Sequence, residues 1–245
     1  AITLRNDLVK NGSIFRTTSD TETIVQLIAK SNRDKIIDKI TETLFKIQGG
    51  YALVILTNKK LIGIRDPLGI RPLVIGKLGA SYIFASETCA LDMVDAKFIR
   101  EVENGEMVVI ENNEIKSYKP FNKIKARPCI FEYIYFARPD SILNGECAYE
   151  YRKRLGQELA KESKIKADIV VPVPDSGVPA SIGYSQESKL KFELGLIRNH
   201  YVGRTFIEPK QNIRSFGVKL KLSSTKSILK DKSVILIDDS LVRGT

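Results

Sequence analysis

The stretch that decides the fold is Val234-Ile235-Leu236-Ile237-Asp238-Asp239-Ser240-Leu241-Val242-Arg243-Gly244-Thr245. Its four apolar residues predict a strand buried on both faces, because only such strands lack polar alternation. Two acids at the carboxyl end of that strand lie where open α/β sheets bind ligands. The small-residue turn that follows offers backbone N–H groups to a phosphate. The stretch therefore predicts a parallel sheet with a sugar-phosphate site at its edge. The simpler alternative is an acid pair that only caps a helix.

Composition narrows the class of protein. The chain has 245 residues, of which 43% are hydrophobic and 28% charged, and this suits one large globular domain or two modest ones. No apolar run approaches the length that spans a membrane and no leader peptide opens the chain, so we expect a cytoplasmic protein without a membrane partner.

The net charge of +10 is scattered along the chain. A nucleic-acid-binding protein would cluster its cations or interleave them with aromatic residues, so we expect no nucleic-acid partner. The excess positive charge does suit a polyanionic small-molecule substrate.

Three cysteines, Cys89, Cys129 and Cys147, are too few and too irregularly spaced for a disulfide framework. No CxxC pair is present, and this argues against a zinc site.

The first half of the chain predicts helices packed on an antiparallel sheet. A helix is expected over Ile2–Val9, a capping box at Ser19 and Glu22 opens a second helix, and an apolar stripe predicts a third over Asp34–Phe45. Six short strands follow, separated by turns: Tyr51–Thr57, Leu61–Arg65, Leu73–Lys77, Tyr82–Ser86, Met107–Glu111 and Ile115–Tyr118.

The second half alternates between strands and helices and therefore predicts a parallel sheet. Its expected elements are a helix marked by Tyr151, Leu155 and Leu159, a buried strand over Ile169–Val173, a helix over Ala180–Glu187, a strand over Phe192–Ile197 and the final strand. A Lys/Pro-rich stretch at 119–127 suggests two domains, residues 1–120 and 121–245.

Several motifs resemble a known family. SDTE at 19–22, GGYA at 49–52, RDPLGIRPL at 65–73 and ASE at 85–87 resemble the class II glutamine amidotransferase domain. The motifs CIFEYIYFARPDS at 129–141, YVGRTFI at 201–207 and DDSLVRGT at 238–245 are similar to those of the amidophosphoribosyltransferases. These motifs cover essentially the whole chain and follow the order found in the family.

The resemblance implies a fold and a reaction. The expected fold is a partial α+β N-terminal-nucleophile domain, the glutaminase, followed by a truncated α/β type I phosphoribosyltransferase domain. The family hydrolyses glutamine and uses the ammonia to convert 5-phosphoribosyl pyrophosphate (PRPP) into 5-phosphoribosylamine, a glycosyl transfer that opens purine biosynthesis. Its members tend to form homotetramers.

The resemblance also implies substrate-binding residues. Asp20 matches the acid that binds the α-amino group of glutamine, although Ser19-Asp20 is equally a good helix start. Asp238 and Asp239 match the acids that meet the ribose hydroxyls and Mg²⁺. The expected 5′-phosphate loop comprises Ser240, Val242, Arg243, Gly244 and Thr245.

Asp175, Ser176 and Gly177 match the pyrophosphate loop of the family, and the position of Ser176 is associated with the metal–substrate site. The alternative is an ordinary strand-to-helix turn. Arg65 to Leu73 is interpreted as a scaffold turn because Pro67 and Gly69 suit a tight turn.

Residues 198–222 resemble the loop that closes over the substrate, and its cations Arg198, Arg204 and Lys219 suit a pyrophosphate leaving group. The usual Lys-Asn-Arg-Tyr of the family is Arg198-Asn199-His200-Tyr201 here, which keeps the first charge with a different geometry. The alternative is a solvated surface loop with scattered charges.

Cys129 matches the first ligand of the [4Fe–4S] cluster found in one branch of the family. Such a cluster needs four thiolates, and the matching positions of the others lie beyond residue 245. A lone cysteine is otherwise a small hydrophobic residue.

The chain starts at Ala1, whereas the glutaminase nucleophile of the family is an N-terminal cysteine. We therefore expect an internal fragment without catalytic residues for glutamine hydrolysis. Two alternatives to a working enzyme stay open, a decayed remnant and a non-catalytic PRPP-binding module.

Overall fold

A computed structural model describes residues 2–201 and 217–241. By packing, the chain divides into two compact units, which are described separately. The first comprises residues 1–73 and 102–128, and the second comprises 74–101 and 129–245.

The first unit consists of three helices and a four-stranded sheet. In chain order its elements are α1 (Ile2–Lys10), α2 (Asp20–Lys30), α3 (Ile36–Leu44), β1 (Ala52–Leu56), β2 (Leu61–Arg65), β6 (Met107–Glu111) and β7 (Glu114–Tyr118). All of them confirm predicted elements, and each predicted bound lies within two residues of the observed one.

The sheet of the first unit is antiparallel throughout, in the order β1-β2-β6-β7. Asn112 and Asn113 join β6 to β7, and both have positive φ, as a two-residue hairpin turn of matching twist requires. Ile40 and Leu44 of α3 pack against Ile62 and Ile64 of β2, and all four are at most 1% exposed. The predicted apolar stripe of α3 therefore forms the core of this unit.

The second unit begins with a separate antiparallel sheet. Its elements are β3 (Val74–Leu78), β4 (Ser81–Ala85), α4 (Thr88–Asp92) and β5 (Lys97–Glu101), and the strand order is β4-β3-β5. Both α4 and β5 were absent from the sequence prediction. The register of β3 and β5 shifts between Ile75 and Gly76, and α4 packs Leu91 against Val74.

The remaining elements of the second unit follow a five-residue π-helical turn (Glu132–Phe136). They are β8 (Ile142–Leu143), β9 (Glu146–Cys147), α5 (Ala148–Glu162), β10 (Ile169–Pro172), α6 (Val178–Ser188), β11 (Lys191–Phe192), β12 (Leu196–Arg198), β13 (Leu222–Ser224), α7 (Lys226–Leu229) and β14 (Val234–Ile237). Residues 217–221 are helical as well.

The predicted parallel sheet is confirmed. Its strand order is β11-β10-β14, with β10 parallel to both neighbours. Tyr184 of α6 and Ala160 of α5 pack against Val170, Ile235 and Ile237. All four residues of β10 are buried, as expected of the central strand.

Two details of this sheet differ from the prediction. Only Ile235 and Ile237 of β14 are buried, whereas Leu236 is 56% exposed, because β14 is an edge strand with one covered face in the described part of the chain. The single strand predicted over Phe192–Ile197 is divided, since β11 joins the parallel sheet and β12 pairs with β13.

The predicted helix α5 is confirmed, but its buried face is not the one that carries the leucines. Ala148, Arg152, Gly156 and Ala160 are buried, whereas Leu155 and Leu159 are 40% and 39% exposed. A Cβ at Gly156 would clash with the carbonyl oxygen of Ala180 on α6. Small residues therefore let the two helices approach closely, and the leucines lie on another face.

The compact units do not follow the predicted boundary at residue 120. Residues 74–101 group with the second unit, and 121–128 group with the first. The division into domains 1–120 and 121–245 concerns function and stays a prediction. Among the described residues no helix is both long and apolar enough to cross a membrane.

Candidate functional site

A cleft of about 290 Å³ lies at the carboxyl end of β14 in the second unit. Asp238 and Asp239, which follow that strand, line it together with Ser176. The cleft is also lined by Ile134 from the π-helical turn and by residues of α5, among them Arg152, Leu155, Glu158 and Glu162. The structure thus brings together the predicted ribose acids and one residue of the predicted pyrophosphate loop, as expected at the edge of a parallel sheet.

Local hydrogen bonds orient the two acids. The N–H of Asp239 donates to Oδ1 of Asp238 over 2.9 Å, and the hydroxyl of Ser240 donates to Oδ1 of Asp239 over 2.6 Å. Asp238 is accessible to solvent, yet the protein atoms around it remove enough water to raise its pKa, and the neighbouring Asp239 adds to that effect. The bond from Asp239 N–H and the charge of Lys221 act in the opposite direction. A cation in the cleft would offset this repulsion between carboxylates.

Gly177 is required by close packing. It caps the N-terminus of α6, and its N–H donates to the carbonyl of Val173 over 2.9 Å. A Cβ at this position would clash with the carbonyl oxygen of Ile237, the last residue of β14. The absence of a side chain therefore lets the loop at 174–177, whose Pro174–Asp175 peptide is cis, lie beside the acids.

Asp175 and Arg198 form an ion pair that joins two predicted substrate loops. Nη1 of Arg198 lies 2.6 Å from Oδ2 of Asp175. Arg198 ends β12, where the predicted closing loop begins. Lys219 is an exposed residue in the helical stretch 217–221.

Several predicted residues lie outside the described part of the chain. They are Arg204 of the closing loop, and Val242, Arg243, Gly244 and Thr245 of the phosphate loop.

Arg152 is a cleft residue that the sequence analysis missed. Only 5% of it is exposed, and its guanidinium donates to the carbonyls of Tyr133 and Ala137 over 2.7 Å each. Burial lowers its pKa, whereas the carboxylates of Asp239 and Glu87 raise it. The signal available in the sequence was the spacing of Ala148, Arg152, Gly156 and Ala160, a charged residue within a stripe of small ones.

Asp20 lies in the first unit, at the first position of α2. The hydroxyl of Ser19 caps the helix by accepting from the N–H of Thr21 over 3.2 Å. Glu22 does not complete the predicted capping box. Its carboxylate accepts from the N–H groups of Arg16 and Thr17, both over 2.8 Å, and so holds the loop before Asp20.

Hydrogen bonds from Thr17 and Arg16 lower the pKa of Glu22. Arg5 of α1 donates to the carbonyl of Thr17 over 2.6 Å, so the loop is fixed from both helices. Asp20 itself is exposed to solvent.

The RDPLGIRPL motif forms a scaffold turn, as predicted. Asp66 is fully buried, and its carboxylate accepts from the N–H groups of Leu68, Ile70 and Arg71 over 3.0–3.1 Å. The guanidinium of Arg65 donates to the carbonyls of Arg71 and Val102 over 2.9 Å. The motif therefore orders its own backbone.

Cys129 has a free, partly exposed thiol before the π-helical turn. Within residues 2–201 and 217–241, no group of three or more His, Cys, Asp or Glu side chains is arranged to hold a metal ion. The described residues alone therefore do not fit an iron–sulfur cluster. A Mg²⁺ ion needs fewer protein ligands, and the carboxylates of Asp238 and Asp239 and the hydroxyl of Ser176 suit its chemistry.

The chain is similar to known proteins in sequence and in fold. A model of the glutamine amidotransferase domain family matches residues 1–93. The chain is 52% identical to an amidophosphoribosyltransferase from Rhizobium etli and 46% identical to one from Bacillus subtilis, with 100% of the chain aligned in each case. Along its whole length, the chain is homologous to amidophosphoribosyltransferases.

Solved structures of this family have the same fold. The B. subtilis glutamine PRPP amidotransferase, solved in complex with ADP and GMP, superposes with a TM-score of 0.91 over 99% of the chain. A structure described as the allosteric regulatory enzyme of purine biosynthesis superposes with a TM-score of 0.92. The chain spans about half the length of these relatives, 50% of the R. etli protein and 53% of each superposed chain.

Proposed function

We propose that this chain is part of an amidophosphoribosyltransferase that converts PRPP and glutamine into 5-phosphoribosylamine, glutamate and pyrophosphate. The observation that carries the proposal is the cleft at the end of β14, where Asp238, Asp239 and Ser176 meet. In this reading, residues 121–245 belong to a truncated type I phosphoribosyltransferase domain, supported by the parallel β11-β10-β14 sheet.

Asp238 and Asp239 would accept hydrogen bonds from the ribose hydroxyls of PRPP. Together with Ser176 they would also hold Mg²⁺, which would neutralise charge on the pyrophosphate. The ordering of the pair by the Asp239 N–H and by Ser240 supports this role, because it fixes the carboxylates before substrate arrives. The turn from Ser240 to Thr245 would donate N–H groups to the 5′-phosphate.

The reaction at the sugar breaks the bond between C1 and the pyrophosphate oxygen and forms a bond between C1 and the nitrogen of ammonia. The ammonium group formed in this way then loses a proton. Positive charge develops on the ring as pyrophosphate departs, as in glycoside transfer. Cations of the closing loop would stabilise the leaving group, among them Arg198, Arg204 and Lys219. Asp175 pairs with Arg198, and pyrophosphate would compete for that cation.

The glutaminase half would use Asp20 to bind the α-amino group of glutamine. The anchored loop before α2 supports this role, since Glu22 and Arg5 fix the backbone that carries Asp20. Cys129 is proposed as one thiolate of a [4Fe–4S] cluster whose other ligands the described residues do not supply. We also propose that the protein forms a homotetramer and acts in the cytoplasm. A relative from Arabidopsis thaliana is named chloroplastic.

The test uses protein expressed from the complete reading frame and supplied with PRPP, glutamine and Mg²⁺. Phosphoribosylamine and pyrophosphate should form, and removal of Mg²⁺ with a chelator should stop both. Asp239→Asn should lower transfer by about 100-fold or more, because a neutral amide cannot replace an ionised ligand. Glutamine hydrolysis by this variant should stay measurable.

Asp231→Asn is the matched control, since this exposed acid precedes β14 and so lies at the opposite end of the strand from Asp239. Full transferase activity in Asp239→Asn would overturn the ribose-site assignment. If the wild-type protein binds PRPP with micromolar affinity and forms no product, the chain belongs to a binding module or a decayed enzyme.

A further inference from the structure

A buried cation holds one wall of the cleft. Nε of Arg152 donates to the carbonyl of Tyr133, and a terminal nitrogen donates to the carbonyl of Ala137, both over 2.7 Å. These carbonyls belong to the π-helical turn Glu132–Phe136 and to the residue that follows it. One side chain of α5 thus bridges the turn along its length.

The turn that Arg152 bridges faces the acids. Ile134, in its centre, lines the same cleft as Asp238 and Asp239. The position of this wall relative to β14 therefore depends on what holds the turn.

The exit of the turn is fixed by a second residue. Oε2 of Glu87 accepts from the N–H of Arg138 over 2.9 Å and from the hydroxyl of Ser141 over 2.6 Å. Glu87 lies within residues 1–93, the part that matches the glutamine amidotransferase domain family. Arg152 and Glu87 hold neighbouring parts of one segment, and the carboxylate of Glu87 acts on the charge of Arg152.

Only an arginine suits the bridging position. Its planar fork reaches two carbonyls at once, whereas a lysine presents a single point of contact. Burying a cation is costly, so a side chain that merely filled this space would be apolar. The charge faces a cleft lined by four acids, Glu158, Glu162, Asp238 and Asp239, which gives a reason for its presence there.

We propose that Arg152 is a positioning residue for PRPP, which holds residues 132–137 as a fixed wall of the Asp238–Asp239 cleft. This inference rests on the proposed function, because the ligand it concerns is PRPP. It assigns Arg152 no contact with the reacting atoms.

The experiment compares Arg152→Lys and Arg152→Met with wild type, in protein from the complete reading frame. Hydrogen exchange of residues 132–138 should become faster in both variants. The dissociation constant of PRPP, measured by calorimetry with Mg²⁺, should rise about tenfold or more, as expected when a binding wall is displaced. The KM for glutamine should stay within about twofold of wild type, because a local wall does not act on the other substrate.

Arg154→Lys is the control, since Arg154 lies on the same helix, is half exposed and pairs with Glu146. It should change neither exchange nor affinity. If Arg152→Lys accelerates exchange in 132–138 and binds PRPP like wild type, Arg152 is only structural and the proposal is wrong. An equal rise in the KM of both substrates would also overturn it. If wild type binds no PRPP at all, the proposed function fails first, and this inference fails with it.

Discussion

At the scale of single residues, carboxylates that are buried or hydrogen-bonded hold loops in place. The sequence motifs of these loops resemble those of binding sites. Asp66 is the clearest case, because it is inaccessible to solvent and surrounded by N–H donors of its own turn. Such a carboxylate stabilises the folded turn through charge-assisted hydrogen bonds, because water cannot reach it to take the place of the N–H donors. The strongly polar motif at 65–73 is therefore a folding element.

Asp66→Asn should destabilise the protein by about 3 kcal/mol, because an amide directs its own N–H groups at backbone donors. Urea unfolding of the purified chain measures the change. Asp92→Asn, at an exposed position, should alter the free energy of unfolding by less than about 0.5 kcal/mol. Equal effects of the two substitutions would contradict a structural role for Asp66.

The lowered pKa of Glu22 predicts that the free energy of unfolding depends on pH in the acid range. Its pKa in the folded state is below the ordinary value of 4.5, so its contribution to stability is present above that pH and is lost as the pH falls through the folded-state pKa. Glu22→Gln should therefore flatten the curve of unfolding free energy against pH below about pH 5.

Denaturant titrations at a series of pH values check this prediction, with the exposed Glu158→Gln as the control. A Glu22→Gln curve parallel to that of wild type would show that the loop anchors contribute nothing to stability.

At the scale of helices and strands, the periodic elements were predictable and the contacts between them were not. The apolar stripe of α3 is a strong local signal, and so are the short apolar runs of β1, β2 and β6 between turn residues. They gave bounds within two residues. The five residues of α4 are too few to show a helical period, and three of the five residues of β5 are charged, so neither element was recognised. The exposed face of β14 could not be predicted either, since edge position is a property of the whole sheet.

In the candidate site as well, residues marked by a sequence pattern were predictable and contacts between elements were not. Its acids were predictable because they come directly after a buried strand. Arg152 was not, because its partners are carbonyls of residues that no pattern relates to it. On α5, Leu155 and Leu159 suggested the wrong buried face, since close packing of two helices favours glycine over leucine.

This reversal of faces is testable. Gly156→Ala should cost about 3 kcal/mol, because its methyl group meets the backbone of α6 and both helices must move apart. Leu155→Ala should cost less than about 1 kcal/mol at its exposed position. Thermal and urea unfolding of both variants give the comparison, and a larger effect of Leu155→Ala would mean that the leucine face is the packed one.

At the scale of the whole molecule, the net charge of +10 favours encounters with anions. We expect the affinity for Mg²⁺-bound PRPP to fall about threefold or more when salt rises from about 50 to 300 mM, because salt screens the excess cations. Calorimetric titrations at fixed Mg²⁺ measure this effect. Affinity that does not change with salt would leave the charge excess without a role in substrate capture.

The chain passes between the two compact units three times, after residues 73, 101 and 128. A single recombination event therefore cannot exchange either unit between genes. A cut after residue 93, where the family match ends, would remove β5 and leave β3 without one of its two partners. Lineages that inherit this arrangement must keep both units together, so the two parts of the sequence are expected to share one evolutionary history.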